Sequence, residues 1–367
     1  MVWIVAPVEV RRSHRYGFSS GPQKQHSLVK IKCSAIEERT VKSIKNRSAS
    51  KSTAWQGELA LEYASEQLAA QSGDRIQPGQ SNKTSLVYRY AKAPLKVQRP
   101  FYPEGPSVCH SVIVHTAGGM VGGDRLHLSL TAQPHARALV TTTAASKAYG
   151  KTNAVAEQAV VIKVGQGACL EWLPQELILF DGARYRQHLR VDLDPDAVWL
   201  GWEITRLGRT LRGERFTQGE WRSHLEVWQQ GRPLWIDPQG IGGGGAMMTS
   251  GHGLNSCPVI ATLALVGRDV PPAVMAQVRA CWDQCNLPRE SKVDSYGRMV
   301  SQCIHPVASQ AGVSRLQSGI VCRYRGNSTL QARRWFVAVW HLLRPIYLCR
   351  PVCLPRVWPD LHRPAAS

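Results

Sequence analysis

Between Ser111 and Tyr149 the chain reads SVIVHTAGGMVGGDRLHLSLTAQPHARALVTTTAASKAY, and this stretch constrains the fold more than any other. Val112 to His115 is a short apolar run. Two glycine pairs follow, Gly118-Gly119 and Gly122-Gly123, with only Met120 and Val121 between them. Glycine serves where the backbone takes positive φ or is approached closely, so two pairs this near specify a tightly folded loop. Asp124 and Arg125 close it. Leu126, Leu128 and Leu130 then alternate with Arg125, His127 and Ser129, the period of a half-buried strand. Gln133-Pro134-His135 turns the chain, and Ala138 to Thr143 is expected to return as a strand beside the first. His115, Gly118, Gly119, Gly122, Gly123, Asp124 and Arg125 are therefore candidates for a loop of special backbone shape that serves structure or a partner.

A phosphate cradle is excluded. A P-loop needs Gly-Lys-Ser/Thr, whereas these glycines run into an acid, and the segment after them has strand rather than helix period. A second glycine-rich stretch, PQGIGGGGAMMTSGHGLN from Pro238 to Asn255, satisfies G-x-G-x-x-G at Gly240, Gly242 and Gly245. No helix period opens at its last glycine, so it reads as a mobile connection and not a dinucleotide site. GFSSG around Ser19 lacks the strand and helix that a nucleophile elbow requires.

Elsewhere the β pattern persists. Trp55, Leu59, Leu61 and Tyr63 share one side of a strand, and Ser85 to Tyr90, Gln158 to Val164, Cys169 to Leu173, Leu177 to Phe180, Arg184 to Leu193, Val198 to Ile204 and Trp221 to Trp228 follow. Turn signals separate them every ten residues or so, which specifies a mainly β fold: a stacked-sheet or β-helical arrangement of many short strands. Two segments of the C-terminal third carry helical period instead. Ala273 to Cys285 follows Pro271-Pro272. Thr329 to Leu343 is capped by Ser328, has Phe336, Val339, Trp340 and Leu343 as its apolar stripe, sets Arg333, Arg334 and His341 opposite, and is expected to stop at Pro345.

Of the +19 net charge, residues 1–50 hold +7 and residues 315–367 hold +8, leaving +4 for the long middle. No nucleic-acid-binding pattern accompanies the basic ends, so the expected partner of the C-terminal patch is an acidic protein surface, not nucleic acid. No apolar run approaches the roughly 20 residues that span a bilayer, and no membrane association is expected. Residues 1–53 are basic and Ser-rich, without an acid from Glu38 to Glu58, and read as an extension before a single β domain over 54–367. A presequence, a disordered tail or a mis-assigned start each fit that composition. The ten cysteines are scattered, without a secretory signal, as in a reducing, cytoplasmic compartment. Cys281/Cys285 and Cys349/Cys353 have C-x3-C spacing but no histidine at zinc-finger distance, and read as packing residues.

HTAGGMVGGDRLHLSL followed by ALVTTTAASKAYG resembles the signature of the urease accessory protein UreD family, called UreH in some bacteria. The likeness continues through LEWLPQELILFDGARY, WEITRLGR and GERFTQG, and resumes in RYRGNSTLQARRWFVAVWHLLRP. Separate motifs in the same order, from about Trp55 to Trp358, are far more specific than any glycine pattern alone. The resemblance implies a non-enzymatic urease maturation factor: a scaffold that binds the urease apoprotein and UreF, with the GTPase UreG joining through UreF. It implies a hetero-oligomeric complex, C-terminal elements that share in the contact with the next accessory protein, and transient Ni²⁺ passage without a tightly bound cofactor.

Three carboxylates cluster in LEWLPQELILFDG: Glu171, Glu176 and Asp181. A buried carboxylate is costly unless paired or bound to a cation. Each reads either as a salt-bridged or rim group or, taken as a set, as the lining of a polar passage. Under the resemblance that passage becomes a candidate nickel path. The alternative from another class is a β-solenoid hydrolase that uses the same carboxylates as acid and base on a polymer.

Overall fold

The structure is a computed structural model and describes residues 54–66, 83–286 and 309–358. The extension expected at residues 1–53 lies outside them. The described strands form two sheets. The first holds β1 (Gln56–Glu66), β2 (Lys83–Lys92), β6 (Arg125–Ala132), β9 (Ala156–Val164), β12 (Arg184–Leu193), β14 (Glu220–Gln229) and β15 (Arg232–Gly242). The second holds β3 (Leu95–Val97), β4 (Cys109–His115), β5 (Met120–Val121), β7 (Arg137–Thr142), β8 (Ser146–Tyr149), β10 (Cys169–Leu173), β11 (Leu177–Leu179), β13 (Val198–Leu207), β16 (Val259–Val266), β17 (Gln310–Leu316) and β18 (Gly319–Gly326).

The chain winds from one sheet to the other and back. β6, β9, β12 and β14 pair in parallel in the first sheet, and β4, β7, β10 and β13 pair in parallel in the second. Equivalent positions of successive coils therefore stack in rows: Arg125 beside Glu157, Glu157 beside Arg186, Arg186 beside Arg222. This is the mainly β, stacked-sheet, solenoid-like arrangement expected from the pattern. The expected return of Ala138 to Thr143 beside Leu126 to Leu130 does not occur, because β6 and β7 lie in different sheets. Period-2 alternation specifies which face of a strand is buried and not which strand lies next to it.

Alternation decides the core. Leu59, Leu61, Tyr63, Leu126, Leu128, Leu130, Val160, Ile162, Leu189 and Val191 turn inward and meet Val140, Leu170, Trp172 and Trp199 of the second sheet. Trp55 does not join this face; it precedes β1 and is 48% exposed. The other side of the second sheet is covered by two helices, α2 (Pro272–Asn286) and α3 (Thr329–Leu348), which follow the single-turn α1 (Ala246–Thr249). Trp202, Ile204, Leu263 and Leu173 pack there against Trp335, Phe336, Trp340 and Leu343. A sheet covered on both faces must be apolar at nearly every position, and β13 reads VWLGWEITRL accordingly.

Ser328 caps α3, its side chain accepting from the Gln331 amide. The apolar stripe is core, with Phe336, Val339, Trp340 and Leu343 fully buried. Two expectations about this helix are corrected. Pro345 does not end it: α3 runs to Leu348, whose burial holds the last turn, and Cys349 closes it at φ 53°. Arg333 does not face solvent but is buried against the second sheet, where Glu176 pairs with it. The glycine-rich stretch after Pro238 is also more ordered than a loop. Pro238 to Gly242 complete β15, paired with β14, and Ala246 to Thr249 form α1.

Candidate functional site

The glycine loop carries the chain from the second sheet to the first. β4 ends at His115, β5 pairs with β8, and β6 begins at Arg125 in the other sheet. Gly118 and Gly123 hold φ of +73° and +98°, conformations that favour glycine. Gly119 and Gly122 are needed for a different reason, close approach. A Cβ on Gly119 would lie 2.9 Å from the Lys147 carbonyl oxygen, and one on Gly122 would run into Thr152 Oγ1 and the Ala154 carbonyl. Asp124 is buried and fastens the crossing: one carboxylate oxygen accepts from the Trp55 amide at 2.8 Å, the other from the Val121 amide at 2.8 Å. Arg125 lies at the surface, 3.1 Å from Glu157. His115 faces inward, and burial holds its imidazole below the usual pKa against the smaller opposing pull of Asp124.

Behind His115 a cavity of about 160 Å³ lies between the two sheets, bordered by Trp172, Gln158, Tyr185, Gln187 and Glu203. Its polar members belong to rows of the coil. On the first sheet Gln158 stands beside Gln187, Gln187 beside Ser223, and Ser223 beside Gln239. On the second, Glu203 stands beside Thr262 and Thr262 beside Arg323. The rows meet across the gap. Ser223 Oγ donates to Glu203 Oε2 at 3.0 Å, Gln187 donates to Glu203 Oε1, and Gln239 Nε2 donates to Thr262 Oγ1 at 3.2 Å. Asp237 accepts from Arg323 at 2.6 Å and from Gln239 at 2.7 Å. A band of polar side chains thus crosses the core between the two sheets.

Of the two acids in this layer, Glu203 and Asp237, Glu203 is the one without a cationic partner among the described residues. Burial pushes its carboxyl up to about 7; the Ser223 hydrogen bond opposes this, the nearby Asp237 charge adds to it, and the Gln187 hydrogen bond opposes it again. An acid that changes charge near neutrality, held by one amide N–H and one hydroxyl, can exchange its proton for a hard or borderline cation and hold that cation reversibly.

The three carboxylates singled out in the sequence do not come together there. Glu171 faces the helices, on the opposite side of the second sheet from Trp172, and is 1% exposed. It accepts from Arg344 Nε at 3.1 Å, Trp340 Nε1 at 2.6 Å and the Tyr347 hydroxyl. Glu176 pairs with Arg333 of α3. Asp181 accepts from the amides of Thr217 at 2.6 Å and Gln218 at 2.9 Å, tying two loops together. Each has its own partners within the chain.

Glu203, Gln187, Gln158, Asp237 and Gln239 escaped the sequence reading. The signal was present: Glu203 is the one acid of β13, between Trp202 and Ile204, and Gln158 and Gln187 occupy inward positions in the alternation of β9 and β12. Recognising them requires knowing which positions of separate strands share a row.

The family model described as "UreD urease accessory protein" matches residues 67–359. The "Urease accessory protein UreD" of Nostoc sp. (strain PCC 7120 / SAG 25.82 / UTEX 2576) is 50% identical over 304 residues, covering 83% of this chain and 96% of that relative. The protein of the same name from Acaryochloris marina is 46% identical over 305 residues, 83% of this chain and 95% of its own length. That of Dechloromonas aromatica is 36% identical over 307 residues, 84% and 95% respectively. With a family match over most of its length and relatives aligned nearly end to end, the chain belongs to the UreD urease accessory protein family.

Proposed function

We propose that this chain is a non-enzymatic scaffold for urease maturation that binds the urease apoprotein and UreF, with UreG joining through UreF, and passes Ni²⁺ through its interior. The polar layer between the sheets carries the reading. Buried polar groups in a β core are costly, and a cluster of amides around a carboxylate with a pKa near 7 suits weak, reversible cation contact. Oxygen ligands hold Ni²⁺ less tightly than histidine or cysteine sets, which favours transfer over storage. Glu203, which borders the cavity and is held by neutral side chains, becomes the principal charged contact of the route, ahead of Glu171 and Glu176, which pair with Arg344 and Arg333, and Asp181, which ties two loops away from the cavity lining.

Partner contacts belong to exposed surfaces and the ordered crossing at Gly118 to Arg125, rather than to α3, whose apolar stripe is buried. No observation favours the polymer hydrolase, whose acid and base would be carboxylates held by separate partners. No helix of the described residues is long and apolar enough to cross a membrane. The reading is tested by expressing the tagged chain in cells that carry the urease genes but lack their own UreD. Restored urease activity and co-purification of UreF, UreG and urease subunits are expected. Failure of all three to co-purify, with activity unrestored by a folded chain, refutes it.

A further inference from the structure

We propose that the outer face of the first sheet carries a binding site for a borderline divalent transition-metal ion, formed by His188, His224 and Glu226. β12 and β14 run parallel and in register, which sets His188 directly beside His224. Glu226 lies two residues further along β14, on the same outward face. His188 Nε2 is 3.1 Å from Glu226 Oε1, and His224 Nε2 is 3.8 Å from Glu226 Oε2. The imidazole centroids are 5.3 Å apart, and one donor atom from each of the three residues lies within 4.8 Å of the others.

Two imidazoles and a carboxylate are the ligand set of Zn²⁺, Cu²⁺ and Ni²⁺ rather than of Mg²⁺ or Ca²⁺. With metal–ligand distances near 2.0–2.1 Å, donors of a tetrahedral site sit about 3.3 Å apart. The imidazoles, about half exposed, can close the remaining gap by side-chain rotation, while the carboxylate, 12% exposed, is already fixed. An ion pair with Glu226 would need one imidazole only. The site has room: Ala159 stands beside His188 in the next strand, and Pro238 beside His224.

Arg190 is the cation that faces Glu226, 3.4 Å away, and it also pairs with Asp192 at 2.9 Å and lies over Trp228 at 5.2 Å. Metal entry requires Arg190 to yield the longer of its two ion pairs and leaves the shorter in place. Alternation separates this site from the interior: Gln187 and Leu189 point between the sheets, His188 points away from them. Substitution at Glu203 therefore leaves it unaltered, and its failure would not bear on the interior route.

The test is calorimetric titration of the full chain with Zn²⁺ alone. The wild type is expected to bind one more equivalent than His188→Ala/His224→Ala. Glu226→Gln should weaken that equivalent at least tenfold, and Arg190→Gln should tighten it several-fold. A second measurement needs no variant: Zn²⁺ should protect His188 and His224 from diethyl pyrocarbonate while exposed His135 and His252 react. Equal stoichiometry and affinity in wild type and double variant, or no protection of the two imidazoles, overturns the proposal.

Discussion

Arg344, fully buried, joins two acids from the first half of the chain: its Nε is 3.1 Å from Glu171 Oε1 and its Nη2 is 2.7 Å from Glu104 Oε1. Glu104 in turn is 2.7 Å from His110 Nε2. The network fastens α3 to the second sheet. A buried pair is weak evidence of net stabilisation, but removing one member leaves unpaired charge in the interior. Arg344→Ala is expected to cost about 3–5 kcal/mol in urea unfolding. The exposed Arg356→Ala should lie within about 0.5 kcal/mol of wild type. Equal stabilities of the two variants would show that the network does not hold the helix.

Two carboxylates give opposite pH dependences. Burial raises the Glu104 carboxyl, but hydrogen bonds and charge from His110 and Arg344 outweigh it and hold it at about 2, below the ordinary 4.5. Its stabilisation is complete above about pH 4.5 and is lost as pH falls toward 2. Glu203, raised from 4.5 to about 7, works the other way: the unfolded chain releases its proton first, so stability declines as pH rises from about 4.5 through 7. Glu203→Gln should therefore gain about 1–3 kcal/mol at pH 8 relative to its effect at pH 4. Melting curves of both proteins at the two pH values check this, and an equal difference at both contradicts it.

The glycine crossing is expected to be intolerant at Gly122 and more forgiving at Gly118. Nothing lies within 4 Å of a Cβ added at Gly118, so Gly118→Ala meets only the φ penalty of about 1 kcal/mol. Gly122→Ala must displace the Ala154 backbone and should cost more than 2 kcal/mol, with loss of urease activation in cells. Denaturant midpoints of the two variants give the comparison, and a milder Gly122→Ala would mean the strands are not held this close.

The sequence made burial legible and left partnership hidden. Leu126, Leu128 and Leu130 announce an inward face because period 2 is local. That β6 lies beside β1 and β9 rather than β7 depends on how the chain winds, which no window of residues records. Arg333 looked like a solvated side chain of an amphipathic helix because Glu176 is 157 residues away. Arg344 and Glu104 are separated by 240. Separation in sequence also concealed the polar layer: Gln158, Gln187 and Gln239 in one sheet and Glu203 in the other look ordinary singly and acquire meaning only as facing rows.

If the polar layer around Glu203 lies on the route of Ni²⁺ to urease, the nickel content of urease purified from cells relying on this chain depends on the Glu203 carboxylate. Glu203→Gln keeps the shape and an oxygen ligand but removes the charge, and attraction at short range at an effective dielectric of about 20 is worth several kcal/mol. Glu203→Gln is expected to stay folded, to co-purify with UreF and to leave urease with less than half its wild-type nickel. Full nickel occupancy in urease matured by a folded Glu203→Gln chain would contradict it.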